Sequence, residues 1–166
     1  MIYDRKTIEA VERLHSAPWQ GVVFRHMFAD FPPERENSRG ARWNPPETPA
    51  IYSSLERETA LAEAAYYIAL QPIRPRARRR IYRLNVALSS VIDLSDWDQL
   101  VTLGLSRGSL QSIDHADCQI IGGAVEWLRH DGLLVPSGRS EGTNLVIFPN
   151  RQGPDYEFEV LDFEEV

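Results

Sequence analysis

From Ala29 to Ala50 the chain carries five prolines (Pro32, Pro33, Pro45, Pro46 and Pro49) and no apolar run that reads as a helix or strand. Proline has no backbone donor and holds φ near −65°, so this stretch serves neither as a helix interior nor as a central strand. It also exceeds the usual connection in a compact domain, and ordered loops of such length are more often functional than idle. Whatever fold the chain adopts must set regular elements around a long irregular loop.

Upstream, Ile8, Val11 and Leu14 recur on a helical beat within "MIYDRKTIEAVERLHS". Pro18 and Gly21 then read as breakers before "VVFR", a buried strand signal. Downstream, "AIYSS" reads as a short strand and Ser53 with Glu56 matches a capping box. "LERETALAEAAYYIAL" consists of good helix formers and should run to about Leu70. The arginine-rich "RPRARRR" leads into "IYRLNVALSSVIDL", a strand with Ile81, Leu84, Val86 and Leu88 as core candidates, followed by a short helix near "WDQLV". From Asp114 to Arg129 the set Ile120, Ile121, Ala124, Val125 and Leu128 predicts a second long helix, with Gly132 as its left-handed cap. "LLV" and "NLVIF" are strands flanking the polar loop "PSGRSEGT", and the tail "YEFEVLDF" alternates like an edge strand.

Mixed strands and helices without a regular βαβ alternation predict an α+β fold, mixed sheets with helices, in one domain spanning 1–166. At 166 residues and 43% hydrophobic content the chain can bury a core without metals or disulfides. Cys118 is the only cysteine, and the four histidines lack zinc-type spacing, so no metal site is expected. The N-terminal segment lacks the apolar stretch of a signal peptide, and no window approaches the ~20 apolar residues of a membrane span, which predicts a cytoplasmic protein. A net charge of −6 disfavours direct binding to nucleic-acid phosphates. No GxGxxG or P-loop pattern is present.

Four residues, with a fifth beside them, could carry chemistry. Arg42 sits in the loop sequence "GARWN", where its planar fork suits a pyrophosphate or a carboxylate; the alternative is a surface arginine packed on Trp43. Tyr52 lies on the short strand, where it could stack on a ligand ring or simply belong to the core. Glu63 is flanked by Leu61, Ala62, Ala64 and Ala65, so its carboxylate needs a partner or a ligand to offset desolvation; an arginine partner or plain exposure is the alternative. Such a carboxylate can hydrogen-bond ribose hydroxyls and stabilise positive charge developing at a sugar carbon. Ser137 ends a strand in a loop with Gly138, Arg139, Gly142 and Asn144 that could offer hydroxyl and N–H groups to phosphate, or be an ordinary turn. Arg25, in "VFRHMF", is a further anion-binding candidate that also suits a structural ion pair, and Arg139 is a weaker one.

Arg42, Tyr52, Glu63 and Ser137, in the settings "GARWNPPETPAIYSSLERETALAEAAYY" and "GLLVPSGRSEGTNLVIFP", closely resemble the RES-domain toxins of bacterial RES/Xre toxin–antitoxin systems. The resemblance covers roughly residues 20 to 150 and keeps the motifs in order with their flanking residues. It implies an ADP-ribosyltransferase-like fold and an attack on cellular NAD as substrate by phosphorolysis, hydrolysis or transfer of ADP-ribose to a protein. It also implies that Arg42, Tyr52, Glu63 and Ser137 line the NAD site, with inorganic phosphate as a candidate co-substrate. Arg42 would hold the pyrophosphate or an incoming phosphate, Tyr52 would orient the nicotinamide side, and Ser137 would anchor phosphate or ribose. Glu63 would stabilise the oxocarbenium-like transition state. The implied partner is an Xre-type helix-turn-helix antitoxin that blocks the cleft, so that DNA is met only through it, and a homodimer is compatible. Ordinary ADP-ribosyltransferases often place the key glutamate on a late strand, whereas Glu63 falls on an early helix, so their detailed mechanisms do not transfer. Modification of a specific protein, a non-catalytic interaction module and a nuclease remain alternatives, the last disfavoured by the acidic pI. The arginine run at 74–80 could dock an acidic antitoxin segment or a phosphate, or be a solvated face.

Overall fold

The computed structural model describes residues 4–166. In chain order it contains α1 (Arg5–Glu12), β1 (Ser16–Phe28), β2 (Ile51–Ser54), α2 (Arg57–Ala69), β3 (Arg79–Asp93) and α3 (Trp97–Thr102). There follow α4 (Arg107–Gln111), α5 (Ala116–Trp127), β4 (Gly132–Pro136), β5 (Thr143–Ile147), a 3-10 turn (Pro149–Arg151) and β6 (Glu157–Glu165). Residues 29–50 stay irregular apart from one isolated bridge between Asn37 and Ala50.

The strands form one mixed sheet in the order β1-β2-β5-β4-β3-β6. Because β1 also pairs with β3, from Ser16 opposite Ile92 to Phe28 opposite Arg79, five strands close on themselves. Among the described residues only β3 and β4 run parallel. The sixth strand, β6, lies along the other edge of β3 from Arg80 to Ala87. Among the described residues no helix is long and apolar enough to cross a membrane.

Alternation along the strands divides the core in two. Leu133, Val135, Val146 and Phe148 point to one face and pack with Val11, Leu100, Leu110, Ile121 and Val125 from the helices. Leu134, Leu145 and Ile147 point to the other and meet Val23, Ile51, Leu84, Val86 and Leu88. Both faces of β4 and β5 are covered, which is why these strands read as continuous apolar runs rather than alternating ones.

Most expected elements are present, and the departures have local causes. Pro18 and Gly21 do not break the chain before the first strand; both lie within β1. The register slips between Ala17 and Trp19, so Pro18 occupies an irregularity where its missing N–H is harmless. The capping box does not form. Ser53 is a strand residue whose hydroxyl donates to Leu145 O (3.0 Å), and α2 starts after Glu56, whose Oε2 accepts from Thr59 Oγ1 and Thr143 N instead. Nor is Gly132 a helix cap. It opens β4, and the left-handed residue after α5 is Arg129 with φ 69°. Ile120, expected in the core, is 44% exposed, since α5 turns Ile121 and Val125 inward. Residues 1–3 of the expected first helix lie outside the described residues. In the 74–80 arginine run, Arg78 and Arg80 pair with Glu165 of β6 (2.8 and 3.1 Å), because β6 lies against the start of β3.

Candidate active site

The proline-rich loop is held in place by polar contacts rather than by regular pairing. Tyr52 extends from β2 beneath it. Its hydroxyl donates to Asn44 Oδ1 (2.6 Å) and accepts from the Trp43 N–H (2.9 Å). Asn44, fully buried, donates from Nδ2 to the carbonyls of Asn37 and Thr48. Burial pushes the Tyr52 phenol well above its usual range, so it stays protonated and can donate.

Arg42 leaves this loop toward α4. Its Nη1 and Nη2 donate to Ser109 O and Ser112 O, both at 2.9 Å, and the residue is only 8% exposed. The loop therefore clamps the end of α4 with a charged fork, and no carboxylate pairs with it among the described residues. The backbone of α5 approaches closely on the same side. A Cβ at Gly122 would sit 1.7 Å from Trp43 O, so only glycine fits there. Gln119 Nε2 reaches across to Ala41 O (2.8 Å).

Glu63, at the middle of α2, is half-buried and faces β5 and the loop after β4. Its Oε1 accepts from Ser137 Oγ (2.6 Å) and from Asn144 Nδ2 (2.8 Å). Ser137, buried at the end of β4, also accepts the N–H groups of Arg139 (3.0 Å) and Ser140 (3.2 Å). Asn144 is oriented in turn by Ser54, whose hydroxyl donates to its Oδ1 (2.7 Å). None of the ion pairs among the described residues involves Glu63. The carboxylate is thus aimed by two neutral donors that do not cancel its charge.

Glu63, Tyr52, Tyr67 and Asn144 stand between two recesses. The larger, of about 320 Å³, is mostly apolar and includes Phe24, Arg25, His26, Ala64 and Ile68 in its wall. The narrower one is lined by Arg42, Trp43, Leu110, Pro136, Gly138 and Arg139. Tyr67 follows Glu63 by one helical turn, which puts both on one face of α2. Burial first, and the Glu63 charge second, raise its phenol pKa.

Among the described residues Arg25 forms no ion pair of the kind considered for it. Its Nη1 and Nη2 donate to Tyr52 O and Arg35 O, both at 2.6 Å, and its Nε is buried without a partner among the described residues. Burial lowers its pKa to about 10, which leaves it charged at neutral pH. His26 Nε2 is likewise buried without a partner among the described residues. Burial, with the charges of Arg79 and Arg25, brings its pKa down to about 4.

All four expected residues border one region, yet they make contacts that linear reading does not reveal. Arg42 and Tyr52 spend their polar ends on the protein itself, whereas Glu63 and Ser137 meet directly. Linear reading names Asn144 only as a member of the loop after Ser137 and does not single out Tyr67. The helical spacing of Tyr67 from Glu63 is a usable signal, but that of Asn144 is not, because its partner lies 81 positions away. No group of three or more His, Cys, Asp or Glu residues able to hold a metal occurs among the described residues.

An α2 glutamate thus meets a serine from the end of β4, beside an arginine-bearing loop, on a mixed α+β frame. The chain belongs to the RES domain family, whose model matches residues 10–162. It is 25% identical over 161 residues to the NAD(+) phosphorylase MbcT of Mycobacterium tuberculosis and to the protein of that name in Mycobacterium bovis, covering 91% of this chain and 86% of the relative. The solved M. tuberculosis MbcT-MbcA toxin-antitoxin complex contains a chain with the same fold. Its TM-score is 0.87 at 22% identity, with 98% of this chain and 93% of that chain covered.

Proposed function

We propose that residues 1–166 form one catalytic unit, the toxin of a type II toxin–antitoxin pair that depletes NAD by cleaving its nicotinamide–ribose bond. The relatives' name makes phosphate the first choice of acceptor. The observation that carries the reading is the Glu63 carboxylate, half-buried beside a 320 Å³ cleft and held by Ser137 and Asn144 without a cation. Preorganised charge of that kind stabilises a cation that develops only in the transition state.

In this reading an oxygen of phosphate forms a bond to ribose C1″ as the C1″–N bond breaks. Nicotinamide departs with the bonding pair as a neutral molecule, leaving ADP-ribose-1″-phosphate. Glu63 stabilises the positive charge on the ribose while both bonds are partial. Ser137 and Asn144 orient Glu63, and Ser54 orients Asn144. Tyr52 and Arg42 act chiefly by fixing the loop that closes the narrow recess, and Arg25 ties β1 to β2. Chemistry through Glu63 needs no metal. The activity would be exercised in the cytoplasm on free NAD and restrained by a cognate antitoxin, of Xre type in the family pattern, that covers the cleft and carries any DNA contact. A homodimer is compatible with this scheme.

The test is to incubate purified protein with NAD, with and without inorganic phosphate, and to follow products by NMR or chromatography. Phosphate-dependent formation of nicotinamide and ADP-ribose-1″-phosphate is expected. Phosphate-independent ADP-ribose would mean hydrolysis, and label from NAD left on a lysate protein would mean ADP-ribosyl transfer. Intact NAD under all conditions would overturn the reading.

A further inference from the structure

The two recesses beside Glu63 contain three arginines, Arg25, Arg42 and Arg139, against one carboxylate. In a chain of net charge −6 this is a local reversal of sign, and it favours an anionic ligand. The three guanidinium groups are not equivalent. Arg25 and Arg42 are each 8% exposed, and both terminal nitrogens of each donate to main-chain carbonyls.

Arg139 is less committed. It is half-buried, no carboxylate pairs with it among the described residues, and its one side-chain hydrogen bond is long, 3.3 Å from Nη2 to Gln111 O. Its guanidinium carbon lies 3.2 Å from the centroid of the Tyr66 ring. Stacking fixes the plane of the fork while Nε and Nη1 keep donors for a tetrahedral anion, the geometry in which arginine grips phosphate best. The turn that carries it is sterically specified, since a Cβ at Gly138 would meet Leu110 O at 2.5 Å. The same turn directs the Arg139 N–H onto Ser137 Oγ, and that hydroxyl donates to Glu63. Guanidinium and carboxylate are therefore linked through one short rigid segment.

We infer that Arg139 receives a phosphoryl group in this site, either the incoming inorganic phosphate or the pyrophosphate of the dinucleotide. The inference rests on the NAD-cleaving reading and deepens it. Phosphate held by Arg139 would enter with an oxygen toward C1″ on the Glu63 side, and nicotinamide would leave with the electron pair of the broken bond. Pyrophosphate held there would instead set the register of the dinucleotide along the cleft.

Arg139→Gln and Arg139→Lys test it. Initial rates of nicotinamide release are measured with phosphate varied at saturating NAD and with NAD varied at saturating phosphate, and products are separated by chromatography. A KM raised at least tenfold for either substrate in Arg139→Gln, partly restored by Lys, is expected. A rise confined to phosphate, with product shifting from ADP-ribose-1″-phosphate to ADP-ribose, assigns the free anion; a rise confined to NAD assigns the pyrophosphate. Both KM values within twofold of the unaltered protein overturn the inference, as does a fall in kcat alone. Should the unaltered protein leave NAD intact, titration calorimetry with phosphate and with ADP-ribose decides separately. Binding of either that Arg139→Gln weakens tenfold supports Arg139, and absent or unchanged binding overturns it.

Discussion

Ser137 Oγ donates a 2.6 Å hydrogen bond to Glu63 Oε1, joining two residues 74 positions apart. The bond joins α2 to the end of β4 and places a carboxylate beside the 320 Å³ cleft. The first consequence concerns charge. Glu63→Gln keeps an oxygen that can accept from Ser137 and Asn144 but removes the negative charge. Nicotinamide release should fall by about 10²–10³-fold, the usual effect of deleting one preorganised electrostatic group. The thermal midpoint should stay within a few degrees, which a melting curve and a steady-state assay on the same sample would check.

Ser137→Ala and Asn144→Ala should differ in degree. Asn144→Ala removes one donor from Glu63 and the acceptor of one buried hydroxyl, Ser54, so kcat should drop about tenfold to a hundredfold with a smaller loss of stability than in Ser137→Ala. Ser137→Ala also strips the acceptor from the Arg139 and Ser140 N–H groups. Leaving polar groups unpaired costs ~1–3 kcal/mol, so a lowered urea midpoint should accompany its loss of rate. Equal midpoints in the two variants would count against this division of roles.

Gly122→Ala tests the seam between α5 and the loop. The added methyl would lie 1.7 Å from Trp43 O, and a backbone atom cannot be moved aside as a flexible side chain can. Destabilisation beyond ~3 kcal/mol is expected, at or above the upper end of ordinary overpacking. Ile120→Ala, two positions away on the 44% exposed face, should change stability by less than about 1 kcal/mol. Parallel urea titrations of the two variants would separate them.

His26 makes stability depend on pH. Its folded pKa of about 4 lies below its ordinary 6.5, so the unfolded chain takes up the proton first. The unfolded state binds more protons between about pH 6.5 and pH 4, and stability therefore falls as pH is lowered through that window and is unaffected above it. His115 and His130, also shifted downward by burial, add to the slope. His26→Gln should shallow the loss without abolishing it, as read from urea midpoints at pH 7.5, 6 and 5. An unchanged slope would show that His26 is not a main source of the effect.

The helix of Glu63, the strand of Tyr52, the irregular loop and the two late strands were all legible, because each rests on local rules: helix-forming residues in series, continuous apolar runs and proline's missing donor. Errors fell where a distant group overrode a local preference. Ser53 has the chemistry of a helix cap, but its hydroxyl is taken by Leu145 O, 92 positions away. Pro18 has the chemistry of a breaker, yet the long pairing of β1 with β3 carries the strand past it.

The candidate site divides along the same line. By itself the sequence singled out Arg42, Tyr52, Glu63 and Ser137 as candidates, since they stand in recognisable surroundings, and it indicated that the Glu63 carboxylate would need a partner or a ligand. Only the tertiary structure decided what that partner is. It showed Ser137 and Asn144 in place of an arginine, turned Arg42 and Tyr52 onto main-chain and loop groups, and left Arg139 less committed. The reason is that desolvating a carboxylate or a guanidinium requires compensation but does not specify its source. Which donor or acceptor arrives depends on how the sheet closes, and that is settled by strand pairings far apart in the chain.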